Sequence, residues 1–171
     1  MAIVKEEKPR SVLNGLDINT PKGQKSLEQE RVLLDALRAK LQADIVETDK
    51  ELDAVVDGII HKDGVIRGII ECKCRDLSED DLRGYGTWLI TYRKIKEAAK
   101  ISKTLRTPFY GAVYCLKDNR VAFWKLTDDA GDWCFGFDVQ DTRTRRTING
   151  GSTVRANAFI PVSEAKWFTI R

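Results

Sequence analysis

Two segments rich in valine and isoleucine, residues 52–60 and 65–74, flank a Lys-Asp-Gly sequence that ends at Gly64. Gly64 can adopt a positive φ angle without steric cost, so the pattern predicts a β-hairpin. Side chains alternate between the two faces of a strand, which places Glu71 and Lys73 on one face among apolar neighbours. Buried strands ordinarily exclude an adjacent acid and amine, so this pair constrains the fold and its chemistry more than any other feature.

The length of the hairpin loop determines on which face of the sheet the two aspartates of the first hairpin segment lie. A three-residue loop with a glycine bulge puts Asp53 opposite Lys73 and Asp57 opposite Ile69. Both aspartates then share a face with Glu71, each diagonal to it and close enough to share an ion. A two-residue loop would reverse this parity and remove both aspartates from that face.

Two predicted helices each carry one charged residue on an apolar stripe. The first helix is predicted over residues 26–42, with Glu30 on the stripe that faces the core. The second is predicted over residues 82–105, where Lys94 projects from a mostly apolar stripe while the other basic residues line a solvated face. A core-facing charge needs a partner, such as a metal or an opposite charge. A boundary glutamate and a snorkelling lysine are the alternatives.

The predicted elements follow the order α, β, β, β, α, β, β. The last two are strands at residues 109–115 and 121–126, and short strands are expected at 158–162 and 167–170. One mixed sheet with helices packed on it accounts for this order, which makes the chain an α/β protein. A length of 171 residues suits one domain. We expect a flexible arm over residues 1–25 and a single domain over 26–171 with a basic C-terminal extension.

Carboxylates beside a lysine suit phosphodiester hydrolysis, which builds negative charge on phosphorus. Two carboxylates can bind one or two Mg²⁺ ions, which offset that charge and activate a water molecule, and a lysine adds further stabilisation. Mn²⁺ can substitute, because it also prefers oxygen ligands. A structural zinc site is not expected, since the chain has one histidine and no Cys-x-x-Cys.

Four arginines are close together in the last third of the chain. The formal net charge of +3 says little about partners, but this local cluster would suit a polyanion such as DNA. A solvated charged loop is the alternative. The expected DNA-binding residues are Arg143, Arg145, Arg146 and Arg155.

These motifs resemble the PD-(D/E)xK nuclease superfamily over residues 27–126, in the order helix Glu, hairpin Asp, Glu-x-Lys, helix Lys. Residues around Glu30 and from 64 to 73 are similar to archaeal Holliday-junction resolvases. Residues 52–54, 71–76 and 87–94 are similar to small phage-type nucleases. No proline precedes either aspartate, which departs from the pattern that gives the superfamily its name.

The resemblance implies a restriction-endonuclease-like αβββαβ core, with a mixed central sheet flanked by helices. It implies a Mg²⁺-dependent endonuclease or exonuclease acting on DNA, with or without selectivity for branched structures, and a homodimer is one expectation. Glu71 and Asp53 take the metal-binding roles, although the resolvase comparison chooses Asp57. The remaining implied roles are catalysis for Lys73, support of the metal site for Glu30 and the motif-IV helix position for Lys94.

Two other classes of function remain open. The chain could be a nuclease fold that binds nucleic acid without cutting it, or a structural protein whose hairpin charges form ion pairs. No segment is apolar over the length of a membrane span, and the four cysteines are expected to be reduced, as in a cytoplasmic protein.

Overall fold

A computed structural model describes residues 19–50, 54–145 and 152–171, with the backbone alone at residues 144, 145 and 152. In chain order the elements are α1 (Pro21–Leu41), β1 (Asp44–Glu47), β2 (Gly58–Lys62), β3 (Val65–Arg75), α2 (Glu79–Tyr85), β4 (Thr87–Thr91), α3 (Tyr92–Leu105), β5 (Phe109–Cys115), β6 (Arg120–Thr127), β7 (Asp138–Arg145), β8 (Ser152–Pro161), a 3-10 turn (Val162–Glu164) and β9 (Lys166–Thr169).

The expectation of a mixed α/β fold with a mixed sheet is confirmed. The main sheet has the order β1-β2-β3-β5-β6-β9, and a smaller sheet has the order β4-β8-β7. In the main sheet β3 and β5 run parallel, and every other neighbouring pair is antiparallel. A parallel pair needs a crossover, and here the chain between β3 and β5 supplies it through α2, β4 and α3.

Two apolar cores lie on the two faces of the main sheet. On one face, Leu33, Leu34 and Leu37 of α1 pack against residues of β2, β3 and β5. On the other face, α3 and the smaller sheet pack together, with Trp88 of β4 stacked on Trp124 of β6 at a ring distance of 5.1 Å. The result is a layered arrangement in which β3 is covered on both sides.

Helix α1 begins before its predicted start at Ser26. The side chain of Thr20 caps the helix by accepting from the Gly23 N–H at 3.0 Å, and Pro21 occupies the first turn. Residues 21–25, expected in the arm, therefore belong to the helix. Residues 1–18 of that arm lie outside the described residues.

The predicted continuous helix over residues 82–105 is wrong, because a strand interrupts it. Helix α2 has a capping box between Ser78 and Asp81 and ends at Gly86, whose φ of 72° is left-handed. The Trp-Leu-Ile sequence that follows is strand β4, with alternating buried and exposed residues that pair with β8. Within the predicted element, residues 82–85 thus belong to α2 and residues 92–105 to α3, with a strand between them.

The hairpin between β2 and β3 has a two-residue loop, so the expected three-residue loop is wrong. Asp63 and Gly64 both have positive φ, 52° and 73°, and Lys62 pairs with Val65 across the turn. Two such residues match the right-handed twist of the flanking strands.

A β-bulge restores the parity that this shorter loop would have reversed. The register shifts between Ile60 and His61, where Arg67 of β3 is an extra residue without a pairing partner. Beyond the bulge, the side chains of β2 again lie on the faces of the sheet that the three-residue loop predicted. Continuing that register by one residue past β2 places Asp57 opposite Glu71.

The strands predicted at residues 109–115 and 121–126 are confirmed as β5 and β6, and those at 158–162 and 167–170 fall within β8 and β9 with small shifts. Strand β7 was not predicted. Among the described residues, no helix is long and apolar enough to cross a membrane.

Candidate active site

Glu71 lies at the centre of a cluster of charged side chains at the open end of the hairpin, away from its turn. It is on β3, paired in register with Gly111 of β5, and only 1% of it is exposed. Its Oε1 atom is 2.5 Å from the Lys73 amine and 2.8 Å from the Lys94 amine. Its Oε2 atom is buried and has no hydrogen-bond partner. Burial raises the pKa of Glu71, against the opposing effect of Lys73.

Asp57 lies beside Glu71, not opposite Ile69 as the expected loop required. Its Oδ2 atom accepts a hydrogen bond from the Cys72 N–H at 2.7 Å, and its own N–H donates to the Ile70 carbonyl at 2.9 Å. Both bonds join the chain entering β2 to the strand that carries Glu71. These two hydrogen bonds to the backbone therefore fix the position of the Asp57 carboxylate.

Lysines surround the Asp57 carboxylate and keep it ionised. The Lys50 amine is 3.6 Å from Oδ1 and the Lys73 amine is 3.9 Å from Oδ2. Burial would raise the pKa of Asp57, but the charges of Lys73, Lys94 and Lys50 hold it below its usual range. Asp57 and Glu71 thus share contacts with one amine, that of Lys73.

The amine of Lys73 is held firmly as a cation. Besides its contacts with the two carboxylates, it donates to the Cys72 carbonyl at 3.0 Å. Burial would lower the pKa of Lys73, but Glu71 and Asp57 raise it well above its usual value. A lysine in this state donates positive charge and hydrogen bonds, and does not serve as a base at neutral pH.

Lys94 reaches the same site from the other covering layer. It lies in the first turn of α3, directly after β4 ends at Thr91. Sequence periodicity placed it on an apolar stripe, and the structure brings its amine to Glu71. The sequence predicted this meeting although residues 87–91 of the helix on which it was based form a strand.

Glu30 joins the cluster through a residue that the sequence analysis missed, Lys50. The Lys50 amine donates to the Glu30 carboxylate and also pairs with Asp57. Burial, followed by the charge of Asp57, raises the pKa of Glu30. Lys50 lies in a turn after β1 where no periodic pattern marks it as inward-facing, so the sequence offered no signal for its role.

The cluster is balanced in charge. It contains the carboxylates of Glu30, Asp57 and Glu71 and the amines of Lys50, Lys73 and Lys94. With all six groups ionised, the sum is zero. A divalent cation bound here would therefore leave an excess of positive charge, which a phosphodiester anion could offset.

The donor set can be compared with the needs of Mg²⁺. Within residues 19–50, 54–145 and 152–171, no three His, Cys, Asp or Glu side chains are grouped as a metal cage. However, Mg²⁺ is often held by one or two carboxylates, with water and substrate phosphate as the other ligands. The unpaired Oε2 of Glu71 and the carboxylate of Asp57, two residues that both contact the Lys73 amine, are oxygen donors of the kind that Mg²⁺ needs. Asp53, the alternative ligand, lies outside the described residues.

Of the expected DNA-binding arginines, Arg143 and Arg145 lie on β7 and Arg155 lies on β8, and no described contact joins them to the charged cluster around Glu71. Arg143 and Arg155 are exposed. The side chain of Arg145 and the whole of Arg146 lie outside what is described.

No protein-family model matches this sequence, and no curated protein matches it. The geometry of the site therefore carries the functional argument.

Proposed function

We propose that this chain is a Mg²⁺-dependent nuclease that hydrolyses phosphodiester bonds in DNA, built on a restriction-endonuclease-like core of the PD-(D/E)xK type. The order α1, β1 to β3, α3 and β5, with α2 and β4 inserted before α3, supports this fold, as does the parallel pairing of β3 with β5 between two covering layers. The observation that carries the function is Glu71. It is a buried carboxylate contacted by two lysines, with one oxygen left unpaired.

Asp57 and Glu71 would hold the metal ion, and their oxygen donors suit Mg²⁺ or Mn²⁺. When bound, such an ion offsets charge on the phosphate and lowers the pKa of a water molecule. Glu30 contributes indirectly, because it holds Lys50 and Lys50 in turn contacts Asp57. This makes Glu30 a positioning residue rather than a ligand.

The lysines supply positive charge at the position where negative charge develops. The raised pKa of Lys73 keeps its amine protonated, so it stabilises the transition state electrostatically. Lys94 orients Glu71 by binding the oxygen that faces α3, which directs Oε2 elsewhere. Each group is already fixed by contacts within the protein, so little reorganisation is needed during the reaction.

The test is a cleavage panel with matched variants. Wild-type protein is incubated with duplex, single-stranded and branched DNA and with RNA, in Mg²⁺, in Mn²⁺ and in EDTA. Glu71→Gln should lower the rate at least about a hundredfold, as loss of a key electrostatic group does. Glu79→Gln is the control, because Glu79 also binds two basic groups, Arg83 and Arg120, outside the cluster. Its rate should stay at the wild-type level.

A non-catalytic nucleic-acid-binding module is the second candidate. The observation that favours it is the balance of charge, since a lysine amine already contacts each of the three carboxylates without a metal ion. Under this alternative the wild-type protein binds DNA but cleaves no substrate in either metal. Cleavage that is lost in EDTA and in Glu71→Gln excludes it.

A further inference from the structure

The outer half of the β7–β8 hairpin extends beyond the rest of its sheet. Strand β4 pairs with β8 only from Asn157 to Pro161, whereas β7 pairs with β8 as far as Arg145 and Ser152. Residues 141–145 and 152–156 therefore form a two-stranded ribbon, and no other described strand pairs with 152–156. At about 3.3 Å per residue, five pairs give a ribbon roughly 17 Å long.

The two faces of this ribbon differ in chemistry. One face carries Thr142 and Arg155, and Gln140 continues this face next to the ribbon; Gln140 and Arg155 are exposed. The buried Asn157 side chain donates to the Thr142 hydroxyl at 2.6 Å, which fixes that polar face at its base. Asp141 falls on the other face by alternation, so no carboxylate interrupts the polar face between residues 140 and 145.

The opposite face is mixed rather than polar. It carries Arg143 and Val154, and Val139 continues this face next to the ribbon; Val139 and Val154 are 42% and 59% exposed. Arginines therefore project from both faces of the ribbon, and long basic side chains can reach phosphates on either side of a groove.

The position of the ribbon relates it to the candidate active site. Thr91, the last residue of β4, pairs with Asn157, and the ribbon continues past this point in the direction that β4 was running. The chain turns there into α3, which packs against β8 and carries Lys94 in its first turn. The ribbon thus extends from the edge at which Lys94 enters the cluster.

We propose that this ribbon inserts into the major groove of duplex DNA and makes double-stranded DNA the substrate, with the face of Gln140, Thr142 and Arg155 toward the base edges. The major groove, about 12 Å wide, admits a two-stranded ribbon. Arginine and glutamine are the side chains that bond guanine and adenine edges in pairs. The proposal rests on the nuclease function above, because it names the substrate of that site.

Binding is measured in EDTA, so that cleavage does not interfere, by fluorescence anisotropy. The probes are a duplex of roughly 20 base pairs, about two helical turns, and one of its strands alone. The double variant Gln140→Ala/Arg155→Ala removes polar groups with no structural partner among the described contacts. The matched control, Val139→Ser/Val154→Ser, changes the opposite face.

The polar-face variant should weaken duplex binding at least about tenfold, and it should change single-strand binding by less than about threefold. The control should stay within about twofold of wild type on both probes. Its salt dependence should also match wild type, whereas the polar-face variant should lose about one unit of the salt slope with its single arginine.

The groove proposal is overturned if the polar-face variant binds the duplex as wild type does, or if the control variant is the one that weakens duplex binding. It is also overturned if wild type binds the single strand more tightly than the duplex. If DNA is cleaved in Mg²⁺ while the polar-face variant binds the duplex as wild type does, the groove proposal is wrong and the nuclease function stands. If the polar-face variant alone weakens duplex binding and no DNA is cleaved, the nuclease function is wrong and binding by the ribbon stands.

Discussion

The Asp57 carboxylate accepts a hydrogen bond from the backbone N–H of Cys72, the residue between Glu71 and Lys73, at 2.7 Å. This single bond joins the entrance of the hairpin to the Glu-x-Lys sequence. It fixes Asp57 where its other oxygen faces Lys50. The cluster is thus assembled by backbone register as much as by charge attraction.

Asp57 should make stability depend on pH in acid. Its pKa is lowered in the folded protein, since the lysine charges outweigh burial, so its contribution is fully present above the unfolded value of about 3.9 and is lost as the pH falls below it. In urea unfolding between about pH 6 and pH 2.5, the stability difference between wild type and Asp57→Asn should shrink as the pH falls. A difference that stays constant or grows would contradict this sign.

Lys50 should matter for stability although no sequence pattern marked it. Replacing it with methionine leaves the partly buried carboxylates of Glu30 and Asp57 without that partner. We expect Lys50→Met to lower the free energy of unfolding by about 1–3 kcal/mol. Lys117→Met is the control, because the Lys117–Asp81 pair is exposed, and it should change stability by less than about 0.5 kcal/mol. Equal effects of the two variants would mean that the Lys50 contacts are not stabilising.

Gly111 should resist substitution because of the aromatic layer behind the site. It pairs with Glu71 in register, and a Cβ there would lie 2.6 Å from the ring of Trp88. Trp88 is itself stacked on Trp124, so it has little room to move. Gly111→Ala should destabilise the protein by about 1–3 kcal/mol in urea unfolding. At Gly136 an added Cβ meets nothing within 4 Å, so Gly136→Ala should be close to neutral.

Lys94 should be needed for the reaction more than for folding. Lys94→Met removes the amine that binds Oε1 of Glu71, and we expect the single-turnover cleavage rate to fall at least about tenfold with little change in substrate affinity. Lys100→Met, on the same helix and paired with exposed Glu97, is the control and should cleave normally. If both variants cleave at the wild-type rate, Lys94 has no part in the chemistry.

The sequence predicted the hairpin, the Glu71–Lys73 pair and the approach of Lys94, because alternation in a strand and periodicity in a helix are local properties. It predicted the position of Asp57 on the correct face through two errors that cancel, a wrong loop length and a missed bulge at Arg67. A bulge depends on how neighbouring strands pack, which local sequence does not encode.

Other features escaped prediction for the same kind of reason. The apolar spacing around Trp88 fits a helix and a strand alike, and its pairing with β8 depends on residues some seventy positions away. Lys50 lies in a turn without periodicity, so only the tertiary fold brings it to Glu30 and Asp57.

We propose that the carboxylates of Asp57 and Glu71 together hold a divalent cation. Titration of the purified protein with Mn²⁺, with free Mn²⁺ followed by electron paramagnetic resonance, measures this directly. Wild type and Glu79→Gln should bind the ion equally, and Asp57→Asn and Glu71→Gln should each weaken binding at least about tenfold. Equal binding of Mn²⁺ by all four proteins, or no binding by wild type, would contradict the proposed metal site.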